Sequence, residues 1–190
     1  VKPDIIALGK GLSAGYAPFA ATMASGKVME AFYNGSRSIM SGHTYSANPQ
    51  SAAVALAVLR YVQKHRLEEK AGENGNDLLN ALKSLTSKYS FIGDVRGKGM
   101  LIGIEFVADK STNLPFPRKI DFTNMVVSAA KEKGLLLYPA AAGIEGGDGD
   151  GVIVAPPLNI NKEEMEQLLD LFKKTMDETE RQLDGIGSTT

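Results

Sequence analysis

The side chain with the clearest potential for chemistry is Lys10, which stands between two glycines in the stretch GKGLSAGY. It directly follows the apolar run 5–8, a pattern typical of a strand covered on both faces. Lysine is rarely buried without a partner. A desolvated lysine loses its charge readily, and its neutral amine is a nucleophile toward carbonyl groups. The glycines on either side indicate close approach by a ligand or by another backbone.

Two interpretations of Lys10 remain open on the residues alone. One is an ordinary surface lysine at the end of a strand, which is the usual fate of this residue type. The other is an amine that forms a covalent bond with an aldehyde. Pyridoxal phosphate is the obvious aldehyde partner, because one lysine is needed to hold it.

Other short patterns do not predict sites. In GKGMLIG (97–103) the third glycine comes one position too late for a dinucleotide-binding loop, so a tight turn before a strand is favoured. DGDG (148–151) begins like a calcium loop, but Asn159 occupies the place of the closing glutamate, which favours a flexible glycine-rich loop. His43 and His65 are the two histidines, too few for a convincing metal site, and no metal is predicted.

Short apolar runs alternate with one-sided helical stripes, which predicts an α/β or α+β architecture. A helix from residue 49 should begin on Asn48 as N-cap and, being apolar nearly all round, should lie inside a larger body. Asn161 and Glu164 form a capping-box pair that should start the last helix. Predicted strands cover 5–8, 19–24, 91–95, 99–107, 134–138 and 151–155, and further helices cover 67–85 and 122–130.

Composition narrows the class of protein. The 190 residues include 21 Lys and Arg against 22 Asp and Glu, so the net charge of −1 argues against a nucleic-acid or membrane-surface binder. The absence of cysteine excludes disulfides and fits a reducing compartment. We expect a soluble, cytoplasmic, globular protein. The sequence starts at Val1 and reaches its first strand within a few residues, so we also expect it to be cut from a longer chain.

Four collinear stretches resemble the class-III, pyridoxal-phosphate-dependent aminotransferases (the ω-aminotransferase group). They are PDIIALGKGLSAGYAPFAATMAS (3–25), HTYSANPQSAAVALAVL (43–59), VRGKGMLIGIEFV (95–107) and VAPPLNINKEEMEQLL (154–169). The resemblance implies the C-terminal part of the fold-type-I, aspartate-aminotransferase-like fold. Residues 1–88 would end the large cofactor domain and include a linking helix, 89–183 would form the small α+β C-terminal domain, and 184–190 would be a frayed tail.

The resemblance also implies roles for individual residues. Lys10 falls on the lysine that holds pyridoxal 5'-phosphate as a Schiff base and then moves a proton as general base and acid. Thr44 falls on the threonine that binds the cofactor phosphate across a dimer interface, and His43 would add a backbone contact. The working unit should therefore be a homodimer with shared active sites.

Three departures from the family pattern bear on function. Ile153 in VIVAPPL occupies one of two places where members often carry an arginine for a substrate carboxylate. The other place is near the end of the preceding strand, in LLLYPAAAGIEGGDGDG (135–151), and no arginine lies between Arg118 and Arg181. We therefore expect an ω-amino acid or an amine as donor. Ala14 replaces the family's usual glycine. The family's pyridine-nitrogen aspartate, its ring-stacking aromatic residue and its Gly-Ser phosphate loop all lie upstream of the lysine, so the chain alone should be inactive.

The leading hypothesis is transamination from that donor to a 2-oxo acid such as pyruvate or 2-oxoglutarate. Two alternatives remain. An aminomutase, racemase or decarboxylase on the same scaffold would use Lys10 equally well. A non-catalytic fragment or pseudoenzyme would serve only as a structural or oligomerisation module.

Overall fold

The structure, a computed structural model, describes residues 1–140 and 149–187. The chain divides into two compact units, Val1–Arg66 and Leu67–Thr190. The division falls after Arg66, whereas the sequence placed a domain boundary at residue 88. The difference arises because the helix after Arg66 packs on the sheet of the second unit. The boundary implied by the family resemblance stays a prediction.

The first unit is built on a pair of short strands. β1 (Ile5–Leu8) runs antiparallel to β2 (Ala21–Ala24), with Leu8 opposite Ala21 at the end nearest Lys10. Helices α1 (Gly26–Asn34) and α2 (Pro49–His65) follow. The Asn48 side chain caps α2 as predicted, since its Oδ1 accepts the N–H of Ser51 at 3.0 Å.

The predicted burial of this unit is wrong for the chain as described. Ile5, Ile6 and Leu8 of β1 are 59%, 39% and 37% exposed, and α2 has Ala55 as its buried residue. The physical reason is that a ribbon of two strands offers too few neighbours to cover both of its faces. The predicted positions of β1 and α2 are nevertheless confirmed.

The second unit is a four-stranded antiparallel sheet with helices on one face. Its helices are α3 (Leu67–Ser84), α4 (Phe122–Glu132) and α5 (Lys162–Gly187). Its strands are β3 (Ile92–Lys98), β4 (Leu101–Phe106), β5 (Tyr138–Pro139) and β6 (Asp150–Val154), in the spatial order β3-β4-β6-β5. Burial alternates along β4, as expected for a strand with one covered face.

The core lies between the sheet and the helices. Among the described residues it contains five buried phenylalanines, and the rings of two of them, Phe116 and Phe122, stack with centroids 4.1 Å apart. The sheet contributes mainly β-branched side chains that are at most 2% exposed: Val95, Ile102, Ile104, Val152 and Val154. This layer arrangement confirms the predicted α+β character of the region.

A two-residue hairpin loop joins β3 to β4 and packs against α3. Gly99 takes the first loop position with φ of +56°, as a tight hairpin turn requires. Gly75 of α3 approaches so closely that a Cβ added to it would lie 2.3 Å from the carbonyl carbon of Gly99. The tight turn predicted for GKGMLIG is therefore confirmed. Gly75 is needed for the close contact, and Gly99 is needed for the left-handed position of the turn.

The two ends of the last helix differ in how well the sequence predicted them. At its start the capping box is confirmed, because Glu164 Oε2 accepts the N–H of Asn161 at 3.0 Å and Asn161 Oδ1 accepts the N–H of Glu164 at 2.8 Å. At its end α5 extends to Gly187, past residue 184 where a tail was predicted. Residues 188–190 lie outside the described part of the chain.

Candidate active site

Lys10 stands immediately beyond the end of β1, where the chain turns sharply. Gly9 is extended, with φ of −166°, and Lys10 then adopts a left-handed φ of +50° at the start of a short 3₁₀ turn, Lys10–Leu12. The lysine is exposed in the described chain, because the strand pair beside it is itself uncovered. Within the described residues its amine makes no hydrogen bond or ion pair. That amine is therefore accessible, and it has no polar partner among the described residues.

The space beside Lys10 is open on both sides. A Cβ built on Gly9 or on Gly11 would meet no atom within 4 Å, and neither residue has a positive φ. The fold of the described chain does not itself require glycine at these two positions. Small residues here leave room for a group that approaches Lys10 from outside this unit.

A series of tight turns carries the chain from Lys10 to β2. Ala14 has a left-handed φ of +50°, and Gly15 follows with φ of +78°. This explains why the family's usual residue at position 14 is glycine, since a Cβ is disfavoured at positive φ. The methyl group of Ala14 therefore lies at a strained backbone position.

Ser13, in the same turns, was missed by sequence reasoning. It is 2% exposed, and its Oγ donates to the carbonyl of Ala17 at 2.7 Å. The only available signal was a hydroxyl in an otherwise small and apolar stretch, and that signal is weak.

His43 and Thr44 lie in the loop before α2, in the same unit as Lys10. Both are exposed, and a turn at 44–47 leads to the Asn48 cap. The backbone N–H of His43 already donates to Ser46 Oγ at 3.1 Å, and the His43 carbonyl accepts the N–H of Ser46 at 2.9 Å. The Thr44 hydroxyl is left available in the described structure. No hydrogen bond among the described residues joins either residue to Lys10, so their roles stay predictions.

Ile153 lies on the sheet face that the helices leave uncovered. On either side of it along β6, Val152 and Val154 point into the core. Its cross-strand partners are Tyr138 on β5 and Gly103 on β4. Tyr138 is 69% exposed. Position 153 therefore presents an apolar side chain beside an aromatic ring.

The arginine nearest to Ile153 in register is already paired. Arg96 stands opposite Gly103 in the same row of the sheet. Its guanidinium contacts Asp94 Oδ2 and Glu105 Oε2, each at 2.7 Å. These hydrogen bonds, first to Asp94 and then to Glu105, raise the pKa of Arg96. A substrate carboxylate would have to compete with two resident carboxylates for this side chain.

The most perturbed titratable cluster of the described residues is structural. Asp177 Oδ1 of α5 accepts hydrogen bonds from Lys88 Nζ and from the hydroxyl of Tyr89, each at 2.7 Å. The Lys88 bond, then the Tyr89 bond, lowers the pKa of Asp177, while burial raises the pKa of Tyr89. Since Tyr89 is fully buried in the core, this cluster fastens α5 to the segment before β3.

The described residues contain neither a metal-ion site nor a membrane-spanning helix. No group of three or more His, Cys, Asp or Glu side chains there could hold a metal ion. Among the helices of the described residues, none has the length and apolar character to cross a membrane.

The chain matches known proteins over nearly its whole length. It is 51% identical over 181 residues to an uncharacterized aminotransferase of Bacillus subtilis, covering 95% of this chain and 41% of that protein. A solved transaminase from the marine bacterium Virgibacillus superposes with a TM-score of 0.90 at 29% identity, over 96% of this chain and 41% of that one. An amine transaminase from an uncultivated Pseudomonas species, solved in its PLP-bound form, gives 0.83 at 34% identity, over 92% of this chain and 38% of that one.

These matches confirm the predicted fold class, the C-terminal part of the transaminase fold. The chain spans about two fifths of the length of the curated relatives it matches. The family profile of the class-III aminotransferases matches residues 1–176. On this evidence the chain belongs to the class-III aminotransferase family.

Proposed function

We propose that the complete polypeptide carrying this sequence is a pyridoxal-phosphate-dependent transaminase in which Lys10 holds the cofactor covalently. The observation that carries the proposal is the accessible amine of Lys10 at the end of β1, unpaired among the described residues, in a chain of this family. The whole activity is a proposal because the chain spans about two fifths of its relatives.

The donor groups present fit the cofactor. Lys10 supplies a primary amine for its aldehyde carbon, and the Thr44 hydroxyl is available as a donor to a phosphate oxygen. The open space beside Gly9 and Gly11 leaves room for a group at Lys10. His43 is less well suited, because its backbone N–H is already bonded to Ser46. When bound, pyridoxal phosphate supplies an electron sink for the carbon that carries the amino group.

Lys10 has a second role in the proposed reaction. An amine on a long, mobile side chain can take a proton from the carbon that carries the donor's amino group and later return one. Arginine could not replace it, because the guanidinium stays protonated. A racemase, aminomutase or decarboxylase would use the same amine, so the reaction class must be tested by product.

The donor is proposed to be an amine or an ω-amino acid. In family members that bind an α-carboxylate, the resemblance implies an arginine in one of two places. Ile153 occupies one of them, and the other falls in the stretch 135–151, of which residues 141–148 lie outside the described part of the chain. Here Ile153 lies beside Tyr138, and Arg96 is held by two carboxylates. An apolar surface of this kind favours an uncharged substrate end, because an unpaired carboxylate would lose hydration without gaining a partner. The proposed acceptor is a 2-oxo acid such as pyruvate or 2-oxoglutarate.

Two properties of the assembly follow from the same proposal. Thr44 is assigned to a phosphate bound across a dimer interface, so the active form would be a homodimer with shared active sites. Transamination would also require the family residues that this chain does not contain, so the 190 residues alone should not turn over substrate. A cytoplasmic location stays a prediction.

The test is a donor panel assayed with the complete polypeptide, pyridoxal phosphate and each 2-oxo acid. We expect amino transfer from amines and ω-amino acids, and none in Lys10→Ala or Lys10→Arg. Strict use of α-amino acids as donors would overturn the donor proposal. A racemised or decarboxylated product would show that the reaction is racemisation or decarboxylation rather than transamination. Complete inactivity of a folded, cofactor-loaded enzyme would favour the structural-module alternative.

Ile153→Arg tests the donor proposal at the residue that carries it. A bidentate arginine–carboxylate contact is worth about 1.5–3 kcal/mol, so kcat/KM for a carboxylate-bearing α-amino acid should rise by about tenfold to a hundredfold. Ile153→Met is the matched control, because it is long but uncharged. Equal kcat/KM in the two variants would show that position 153 does not meet the substrate carboxylate.

A further inference from the structure

Ser13 is the one buried polar residue of the first unit within the described chain. It lies three positions after Lys10, in the turns that connect β1 to β2. Its Oγ donates to the Ala17 carbonyl at 2.7 Å, which closes a five-residue loop. A buried hydroxyl of this kind is costly to leave unpaired, so its bond fixes the loop geometry.

The backbone of Ser13 also connects to Lys10 itself. Its N–H donates to the Lys10 carbonyl at 3.3 Å, and its carbonyl accepts the N–H of Tyr16 at 3.0 Å. Side chain and backbone of one residue thus join three points of the turn. Ser13 lies between the two non-glycine residues of this segment that have left-handed backbones, Lys10 and Ala14.

Left-handed backbones at non-glycine residues persist only where the surrounding structure holds them. Gly9 and Gly11 contribute no side chains, and the spaces beside them are open. The Lys10 side chain makes no polar contact with the described residues. Ser13 is the last residue of the turn that begins at Lys10, so the direction in which the Lys10 amine leaves the backbone depends on how Ser13 is held.

From these contacts we propose that Ser13 is a positioning residue, whose buried hydroxyl holds the turn that aims the Lys10 amine. The proposal rests on the proposed function of Lys10 as the residue that links the cofactor. In this proposal Ser13 contacts neither the substrate nor the reacting atoms. Its effect passes through the backbone of Lys10.

The experiment uses the complete polypeptide with pyridoxal phosphate as the probe and two readouts. One is the rate at which a borohydride-reducible link forms at Lys10. The other is the visible circular dichroism of the bound cofactor divided by its absorbance. That ratio reports how uniformly the cofactor is oriented. Simple loss of folded protein lowers the circular dichroism and the absorbance equally and leaves their ratio unchanged.

Ser13→Ala is compared with Ser25→Ala. Ser25 also loses one hydroxyl bond, to Asp4 Oδ1 at 2.8 Å, but at the far end of the same strand pair. We expect Ser13→Ala to slow link formation by about threefold to tenfold, the net worth of one neutral hydrogen bond, and to lower the dichroism ratio. Ser25→Ala should keep wild-type values.

A shape-matched pair guards against misfolding of Ser13→Ala. Ser13→Thr keeps the hydroxyl and Ser13→Val has the same shape without it, so Thr should give the higher ratio and rate. Equal values for Thr and Val, or for Ser13→Ala and Ser25→Ala, would overturn the role of Ser13. Absence of any link in the wild type would instead overturn the proposed function of Lys10, so the two failures are distinguishable.

Discussion

The contact between Gly75 of α3 and Gly99 of the β3–β4 hairpin predicts that alanine will stabilise the protein less at Gly75 than at Gly72, another glycine of the same helix. A Cβ on Gly75 would lie 2.3 Å from both the carbonyl carbon and the carbonyl oxygen of Gly99. Gly72, one turn earlier in α3, would place its Cβ more than 4 Å from any atom outside the local helix. Both substitutions improve helix propensity equally, so the comparison isolates the steric contact.

The expected magnitude follows from that geometry. Replacing a helical glycine with alanine stabilises by about 1 kcal/mol, which Gly72→Ala should gain in full. In Gly75→Ala the hairpin must move away by about 1 Å to reach ordinary contact at 3.4 Å. Overpacking of this kind costs about 1–3 kcal/mol, and the obstructing atoms are backbone, which cannot rotate aside as a side chain does. Gly75→Ala should therefore be less stable than Gly72→Ala by at least about 1–3 kcal/mol.

Urea unfolding of the purified protein measures the difference, and native-state hydrogen exchange localises it. In Gly75→Ala the amides of β3 and β4 should exchange faster than in Gly72→Ala, since the hairpin is the element displaced. Equal midpoints and equal exchange rates for the two variants would refute the inferred close packing of α3 on the hairpin.

Three further predictions concern stability. The pKa of Asp177 is lowered, chiefly by its hydrogen bond from Lys88. The stabilisation that the ionised Asp177 gives the folded state is therefore full above its ordinary pKa of 3.8 and is lost as the pH falls through the lowered value. Asp177→Asn should therefore destabilise the folded protein by on the order of 0.5–1 kcal/mol at pH 7, a small value because the side chain is half exposed. A difference in urea midpoint between wild type and variant that does not change with pH would contradict this. Ala14→Gly should stabilise by about 1 kcal/mol by relieving a left-handed alanine, and a lower thermal midpoint would count against that strain. Thr123→Val should destabilise by about 1–3 kcal/mol, because the buried Thr123 hydroxyl donates to Asp150 Oδ1 at 2.6 Å; unchanged stability by chemical unfolding would contradict the role of that bond.

Local sequence signals predicted elements well where the chain itself supplies the stabilising contact. The Asn48 cap and the reciprocal bonds of Asn161 and Glu164 depend on residues three positions apart, so the sequence contains all the information. α1 was missed, although half-buried Val28 and Phe32 repeat at helical spacing. That periodicity was the signal that could have found it.

Prediction failed where tertiary pairing decides the outcome. The apolar run at 134–138 was predicted as a strand, but pairing with β6 begins at Tyr138. Leu135 and Leu137 are buried while Leu136 is 84% exposed, so an alternating pattern covers the core without a strand partner. The alternation of apolar residues predicts which face of a segment is buried. It does not predict whether a neighbouring strand is present to pair with that segment.

The candidate site divides in the same way. Lys10 was singled out as a candidate site residue from the residues around it, and the family of the chain was predicted from four collinear motifs. Whether Lys10 is exposed could not be decided from the sequence, because burial of β1 depends on surfaces that the described chain does not provide. Ser13 became visible only through its hydrogen bond to Ala17, since a serine in a small-residue stretch has no distinctive pattern.

The most direct test of the role of Lys10 is to map the residue that binds the cofactor. The complete polypeptide is incubated with pyridoxal phosphate, reduced with borohydride, digested and analysed by mass spectrometry, with Lys27→Ala as the control for an exposed lysine elsewhere in the unit. We expect the added mass on the peptide that contains Lys10, unchanged in Lys27→Ala and absent in Lys10→Ala. Modification confined to other lysines, with Lys10 unmodified, would contradict the assignment.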